Sequence, residues 1–270
     1  MYRSIFNLCI SVLISAAVFQ AQAQSNEHQL SANDIIKQAN LASYYAGDDG
    51  SAEARMVIVD ANGNKQMRQF TILRKDEEDH GNQHMMVFFS RPSDVSGTVF
   101  LVGKKTTTDD DRWLYLPALD LVKRISAGDK RTSFVGSHFY YEDVSGRNPS
   151  EDTYTLLAEQ STEEMYVLKG EPKAPETVEF DYLIAEIDKT TSLPMRVTYF
   201  NANAQKLRQM EVLKTDNIDG YPTVVHSRIT QFSDNSFTEM QFRNVQYDVG
   251  LPANIFAERS LRNPPKTWLK

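Results

Sequence analysis

The sequence contains almost no cysteine. Its 270 residues include a single one, Cys9, close to the N-terminus. Disulfide bonds therefore cannot hold this fold together, and the packing of an apolar core must do so. A surplus of basic residues is also absent, because 29 Lys and Arg face 36 Asp and Glu, for a formal net charge of −7. We therefore exclude nucleic-acid binding by bulk charge and expect no nucleic-acid partner.

A long apolar run is missing too. The most apolar stretch, residues 5–19, follows Arg3 and is too short and too interrupted for a stable membrane span. It ends in Phe19-Gln20-Ala21-Gln22-Ala23, whose small residues at positions 21 and 23 fit a signal peptidase. We predict a signal peptide over residues 1–23, cleaved after Ala23, and hence a periplasmic protein. Cys9 lies inside the apolar run, where it is poorly placed for lipidation.

Motifs for catalysis are scarce as well. Gly81, Asn82 and Gln83 separate His80 from His84 and disfavour a helix there, so the two histidines are not expected to share a metal-binding helix face. The run Asp109–Asp111 lacks the spaced ligands and the glycine of a calcium loop. His138 is followed by the acidic pair at 142–143, but no serine or cysteine nucleophile lies in a recognisable elbow. We expect no enzyme, no metal and no cofactor.

What the sequence does contain is a helix followed by many strands. Ser31 is a helix cap, and Ile35–Tyr45 has apolar residues at helical spacing. From residue 51 the apolar residues alternate instead, with turn residues between the segments. The predicted strands are Arg55–Val59, Met67–Leu73, Met85–Phe89, Thr98–Val102, Arg112–Leu116, Leu121–Ile125, Tyr154–Ala158, Met165–Lys169, Val178–Ile187, Met195–Phe200, Leu207–Lys214, Thr223–Phe232 and Ser236–Tyr247.

Short polar turns between successive strands predict antiparallel pairing, since parallel neighbours need a long crossover. The exception is Ser133–Asn148, an aromatic stretch interrupted by glycine, which we interpret as a loop with a short helix crossing the sheet. The predicted fold is therefore mainly β, with few helices. Residues 24–270 are interpreted as one domain.

Several of these strands are apolar on both faces. In Arg112–Leu116, for example, Trp113 and Tyr115 point opposite to Leu114 and Leu116. A sheet wet on one face has polar residues at every second position. Two explanations stay open at this point: protein covers both faces of the sheet, or one face holds an apolar ligand.

Three blocks of the sequence resemble the outer-membrane lipoprotein-sorting family, the LolA-like periplasmic proteins, and particularly the branch associated with RND/MMPL-type exporters. They are Arg91-Pro92-Ser93-Asp94-Val95-Ser96-Gly97-Thr98, Asp111-Arg112-Trp113-Leu114-Tyr115-Leu116-Pro117-Ala118-Leu119 and Phe134-Val135-Gly136-Ser137-His138-Phe139-Tyr140-Tyr141-Glu142-Asp143-Val144. The resemblance implies a half-open antiparallel β-barrel of ten or more strands. In that fold the N-terminal helix and a short loop with a helix cover the concave face.

The resemblance also implies a function. A LolA-like protein is a monomeric carrier that shields the acyl chains of a lipoprotein or lipid, receives them from an inner-membrane RND/MMPL-type transporter, and touches membranes transiently. The alternative is an accessory subunit that docks on such an exporter and regulates it without carrying lipid. We expect the cavity and its lid to be lined by aromatic residues, namely Phe88, Phe100, Trp113, Tyr115, Phe134, Phe139, Tyr140 and Tyr141.

Overall fold

The computed structural model of the protein describes residues 30–78 and 81–269. The predicted signal peptide, residues 1–23, lies outside the described residues. Helix α1 (Ala32–Tyr44) is followed by the thirteen strands that the alternation predicts. They are β1 (Asp49–Val59), β2 (Lys65–Asp76), β3 (Gln83–Arg91), β4 (Val99–Lys104), β5 (Asp111–Leu116), β6 (Leu121–Ile125), β7 (Asp152–Leu156), β8 (Met165–Pro172), β9 (Tyr182–Asp188), β10 (Pro194–Phe200), β11 (Lys206–Ile218), β12 (Tyr221–Gln231) and β13 (Phe237–Tyr247).

Helix α1 begins where the sequence places its cap. The Ser31 hydroxyl accepts a hydrogen bond from the Asp34 backbone N–H at 3.2 Å, and the Asp34 carboxylate accepts one from the Ser31 backbone N–H. This reciprocal pair satisfies two of the N–H groups that a helix start leaves without partners. Ile35 and Ala39, one turn apart, are the buried residues of the helix. The helix therefore has one narrow face that packs on the sheet.

All thirteen strands form a single antiparallel sheet with the order β6-β5-β4-β3-β2-β1-β13-β12-β11-β10-β9-β8-β7. The pairing of β1 with β13 lies at its centre, and β6 and β7 are its two edges. The described strands leave the sheet open, because β6 and β7 do not pair with each other. We call β1 to β6 the first half and β7 to β13 the second half. The mainly β, half-open architecture is confirmed.

The chain that joins the two edge strands covers one face of this sheet. We call residues 126–151 the crossing segment; it contains the short helix α2 (Tyr141–Ser145). Because it must run from edge to edge, it lies across the sheet, as predicted for Ser133–Asn148. Tyr44 of α1 donates a hydrogen bond to the Asp143 carbonyl at 3.3 Å. We call the face covered by α1 and the crossing segment the inner face.

The outer face of the first half is covered by the C-terminal segment, residues 249–269, which contains helix α3 (Arg259–Arg262). Leu251 and Leu261 are fully buried there against side chains of β2, β3 and β4. Asp49, at the start of β1, accepts hydrogen bonds from the backbone N–H groups of Gly250 and Leu251, at 3.1 and 2.6 Å. The two covers make the first half a sandwich.

Two predicted strand boundaries need correction. The strand predicted over Val178–Ile187 begins only at Tyr182, because the preceding residues form a 3-10 turn and place Phe180 in the core below α1. The strand predicted from Arg55 begins at Asp49 instead. Residues 49–54 show no apolar alternation in the sequence, and pairing with β2 and β13 extends the strand through them.

Candidate functional site

A cavity of about 410 Å³ lies between α1, the crossing segment and the inner face of the sheet. Strands from β1 to β3 and from β9 to β13 contribute side chains to it, so it extends across the centre of the sheet. Its size is within the range of small-molecule sites, about 300–1,000 Å³. Representative apolar residues of its wall are Ile72, Val197, Met210, Ile229, Met240 and Phe242.

The apolar wall follows from the alternation of the strands. Neighbouring antiparallel strands align their inward residues in rows, as with Met210 of β11 opposite Ile229 of β12. Met240 of β13 extends the same surface. Methionine is flexible and polarisable, which suits a wall that accommodates chains of variable shape. The cavity therefore offers an apolar ligand a continuous greasy surface.

A charged residue stands at one side of this wall. Arg74 of β2 lines the cavity, and its guanidinium donates hydrogen bonds to the carbonyls of Tyr44, Ala46 and Gly47, the last at 2.8 Å. The C-terminal end of a helix leaves carbonyl groups without partners, and a cation there also interacts favourably with the negative end of the helix dipole. Arg74 thus fixes the C-terminal end of α1 to the sheet at the border of the cavity.

On the side of the crossing segment, the cavity border is held by a buried ionic cluster. Glu142 of α2 is 2% exposed and accepts hydrogen bonds from Lys130 at 2.9 Å, from Arg147 at 3.2 Å and from Arg131. Burial alone raises the pKa of Glu142, but the charges of Arg147, Arg131 and Lys130 outweigh burial and lower this pKa to about 2. Glu142 is therefore ionised at neutral pH and binds the irregular parts of the crossing segment together.

A second ion pair ties the crossing segment to the second half of the sheet. Arg208 of β11 is 1% exposed, and its Nη2 lies 2.5 Å from the Asp143 carboxylate. The same nitrogen donates a hydrogen bond to the His138 carbonyl at 3.2 Å. The guanidinium lies 3.9 Å from the centre of the Tyr140 ring, an arrangement typical of cation–π contacts. Arg208 thus holds the crossing segment on the second half of the sheet.

Five of the eight predicted aromatic residues lie on the inner side. Phe134 and Phe139 line the cavity. Phe134 is fully buried, and its ring centroid is 5.5 Å from those of both Phe100 and Tyr141, in edge-on geometry typical of aromatic pairs. Tyr140 stacks on Arg208. Phe100, Tyr140 and Tyr141 therefore support the cover and do not line the cavity.

The other three, Phe88, Trp113 and Tyr115, lie on the opposite face of the sheet, which corrects the expected lining. They pack with the C-terminal segment against the outer face. Side chains alternate along a strand, so β3 turns Val87 and Phe89 inward and Phe88 outward. Two covers account for the apolar residues on both faces of β3, β4 and β5.

His138 and the acidic runs have structural partners. The His138 Nδ1 lies 2.8 Å from the Thr238 hydroxyl, and burial lowers its pKa. His84 pairs with Glu77 at 2.8 Å, whereas His80 is outside the described residues.

Residues 30–78 and 81–269 hold no group of three or more His, Cys, Asp or Glu side chains arranged to bind a metal ion. In the same part of the chain, no helix combines the length and apolarity needed to cross a bilayer.

Sequence reasoning missed the charged border of the site. Arg74 could have been found, because the inward alternation of Phe70 and Ile72 continues to it. Glu142 and Arg208 gave no such signal. The first lies in a segment without periodicity, and the second is one of three basic residues in a strand with many polar positions.

The family comparison matches most of the chain. A family model described only as that of an uncharacterized protein matches residues 81–263. No curated protein matches the sequence. A similar crystal structure, that of a DUF1329 family protein from Desulfovibrio piger, has 29% sequence identity and a TM-score of 0.77, over 85% of this chain and 97% of that chain.

Two further crystal structures show the same fold. A domain assigned to outer-membrane lipoprotein sorting, from Vibrio parahaemolyticus, has 24% identity and a TM-score of 0.76 over 86% of this chain and 98% of that chain. A LolA superfamily protein from Nitrosomonas europaea has 17% identity and a TM-score of 0.66 over 85% of this chain and 99% of that chain. Of the three descriptions, only that of the Vibrio parahaemolyticus domain states a role, lipoprotein sorting, and none of them names an enzyme.

Proposed function

We propose, on the premise that this chain belongs to the family whose model matches residues 81–263 and has the fold of a LolA superfamily protein, that it carries the acyl chains of a lipoprotein or lipid in the cavity beneath α1. The observation that carries the proposal is the cavity of about 410 Å³ with its apolar wall of Ile, Val, Met and Phe side chains. In this role the protein is a binding protein without catalytic activity.

The physical argument concerns the cost of exposing acyl chains to water. Each methylene group removed from water contributes about 0.8 kcal/mol of binding free energy. An acyl chain gains this binding free energy in a preformed apolar cavity without any prior rearrangement of the protein. The centre of the sheet supplies such a wall, with fully buried Ile229 beside the flexible side chains of Met210 and Met240.

The cover of the cavity supports transfer as well as binding. On one side lies α1, which contacts the sheet through a narrow face, and on the other lies the crossing segment, held by Glu142 and Arg208. The two elements meet at the hydrogen bond between the Tyr44 hydroxyl and the Asp143 carbonyl. In this proposal an acyl chain enters when α1 moves away from the crossing segment and the hydrogen bond between Tyr44 and Asp143 opens.

We further place this carrier in the periplasm, between an inner-membrane RND/MMPL-type transporter and the outer membrane. The location rests on the signal peptide predicted over residues 1–23 and on the sorting role stated for the Vibrio parahaemolyticus relative. The transporter type rests on the sequence resemblance of residues 91–98, 111–119 and 134–144.

Native mass spectrometry of the protein purified without detergent, followed by lipid extraction, tests the proposal. We expect a bound acylated species in the unmodified protein. Ala52→Phe places a ring in the cavity, which Ala52 lines, and is expected to reduce the bound fraction at least about tenfold. Val57→Phe is the matched control, because Val57 lies on the same strand but does not line the cavity. It is expected to leave the bound fraction unchanged.

Two outcomes contradict the proposal. Equal lipid contents in the two variants, both folded by circular dichroism, mean that the lipid is not in this cavity. A protein that is always empty but co-purifies with an exporter favours the accessory subunit that regulates without carrying.

A further inference from the structure

The turn between β5 and β6 exposes two leucines. Leu119 is 70% exposed and Leu121 is 45% exposed. Among the described residues only four large apolar side chains are at least 40% exposed, and these two stand two positions apart. Large exposed apolar side chains grouped at one place mark an interaction surface more often than a single one does. We call residues 117–121 the leucine tip.

The conformation of the leucine tip is fixed by specific contacts. Asp120, between the leucines, has left-handed backbone angles, with φ 44° and ψ 39°. Arg262 of the C-terminal segment holds it through its Nε, 3.1 Å from the Asp120 carboxylate, and its Nη2, 2.9 Å from the Asp120 carbonyl. The Tyr115 hydroxyl donates to the same carboxylate at 3.3 Å. These contacts fix the turn in a conformation that leaves both leucines exposed to solvent.

The two segments that meet at the leucine tip are rich in basic residues. Residues 117–126 and 258–269 together hold five basic residues and two acidic ones, although the chain as a whole has a formal net charge of −7. The exposed basic residues are Lys123, Arg124, Arg259, Arg262 and Lys266. Of the two acidic residues, Asp120 is already paired with Arg262. Arg124 contacts Asp111 and remains largely exposed. The two segments that meet at the leucine tip therefore carry a net positive charge on an acidic protein.

We propose that the leucine tip docks the protein on an anionic membrane surface, with Leu119 and Leu121 inserted and the basic residues of the two segments that meet there on lipid headgroups. Reversible membrane binding requires two weak contributions together, apolar insertion and attraction to anionic lipid, and the leucine tip with these two segments supplies both. A protein partner would instead need an extended groove or a broad apolar face, whereas the tip is a narrow turn. The inference does not depend on what the cavity binds.

Sedimentation with vesicles tests the proposal. The probes are vesicles of phosphatidylcholine alone and vesicles with about one third phosphatidylglycerol. We expect binding to the anionic vesicles only. Leu119→Asp combined with Leu121→Asp is expected to weaken it at least about tenfold. Lys123→Gln is expected to weaken it about fivefold, the effect of one basic residue near an anionic surface. Leu213→Asp is the matched control, since Leu213 is also exposed but lies on β11.

A second measurement avoids charged substitutions. Leu119→Trp and Leu213→Trp are compared for quenching of the new indole by brominated lipid, and we expect quenching only for Leu119→Trp. The proposal is overturned if the leucine-tip variants and Leu213→Asp bind equally, or if neutral vesicles bind as well as anionic ones. It is also overturned if the wild-type protein ignores vesicles while the leucine tip is needed to capture an inner-membrane protein. Acyl content measured in the same variants keeps this test separate from the carrier function.

Discussion

In the first half of the sheet, β4 buries residues on both faces, whereas in the second half β9 buries every second residue. The first half has a cover on each side, formed by the crossing segment and the C-terminal segment. In the second half, α1 covers part of the inner face, and the outer face carries charged residues such as Arg196 and Arg228. The number of covers therefore determines the apolar pattern of a strand.

The inner faces also differ in how completely they are filled. In the first half, Phe134 of the crossing segment packs between Phe70, Phe89 and Phe100, and the aromatic rings occupy the space. Towards the centre and the second half, the narrow face of α1 leaves the cavity. The inner face of the sheet is thus filled where Phe134 covers it, and the cavity lies where α1 covers it. The cavity therefore lies where no aromatic ring of the crossing segment fills the space between the cover and the sheet.

The largest expected effect on stability comes from removing an aromatic ring from the filled inner face of the first half. Phe134→Ala removes a fully buried ring that contacts four other aromatic residues, and we expect it to lower the free energy of unfolding by about 3–5 kcal/mol. Phe242→Ala is the control, since Phe242 is half-buried beside space that is already empty. It is expected to cost about 1 kcal/mol. Urea unfolding measures both, and equal losses would mean that the two regions are packed alike.

The next effect concerns the buried charge that holds the cover. Glu142→Gln leaves Lys130, Arg131 and Arg147 without their shared anion, and we expect a loss of about 3 kcal/mol at neutral pH. Glu179→Gln is the matched control, because Glu179 pairs with Arg131 but is partly exposed. It is expected to cost less than about 1 kcal/mol. If the control costs as much as Glu142→Gln, the buried cluster has no special role.

Acid titration sharpens the same point. The folded-state pKa of Glu142 is lowered from 4.5 to about 2, so its contribution to stability is present above pH 4.5 and is lost as the pH falls toward 2. We expect the unfolding free energy of the wild-type protein to fall by about 3 kcal/mol more over this range than that of Glu142→Gln. Parallel pH profiles for the two proteins would refute the assigned pKa.

The fold could be predicted well from the sequence because its signals are local. Alternation over a few residues and turn residues between segments specify each strand, and Ser31 with Asp34 specifies the start of α1. The assignment of faces needed more than local information. Trp113 and Leu114 are neighbours in an apolar strand, and only the covers, far apart in sequence, decide which one faces inward.

The border of the site was less predictable for a related reason. Glu142 finds its cations within the same crossing segment, but that segment is irregular, so no period predicts which side chains meet. Asp143 and Arg208 meet across 65 residues of sequence, through the position of β11 in the sheet. Aromatic residues drew attention to the right segment, although their main role is packing and the cavity wall is mostly aliphatic.

The smallest expected effect tests the uncovered outer face. Arg196 of β10 bridges Glu186 of β9 and Glu211 of β11, at 3.0 and 3.2 Å, and all three side chains are about one third exposed or more. Exposed ion pairs contribute little because water screens them and two long side chains must be ordered. A double-mutant cycle with Arg196→Ala and Glu186→Ala is expected to give a coupling of about 0.2–1 kcal/mol that shrinks in high salt. A coupling of several kcal/mol that is insensitive to salt would mean that this face is covered by a partner and that the second half, like the first, is a sandwich.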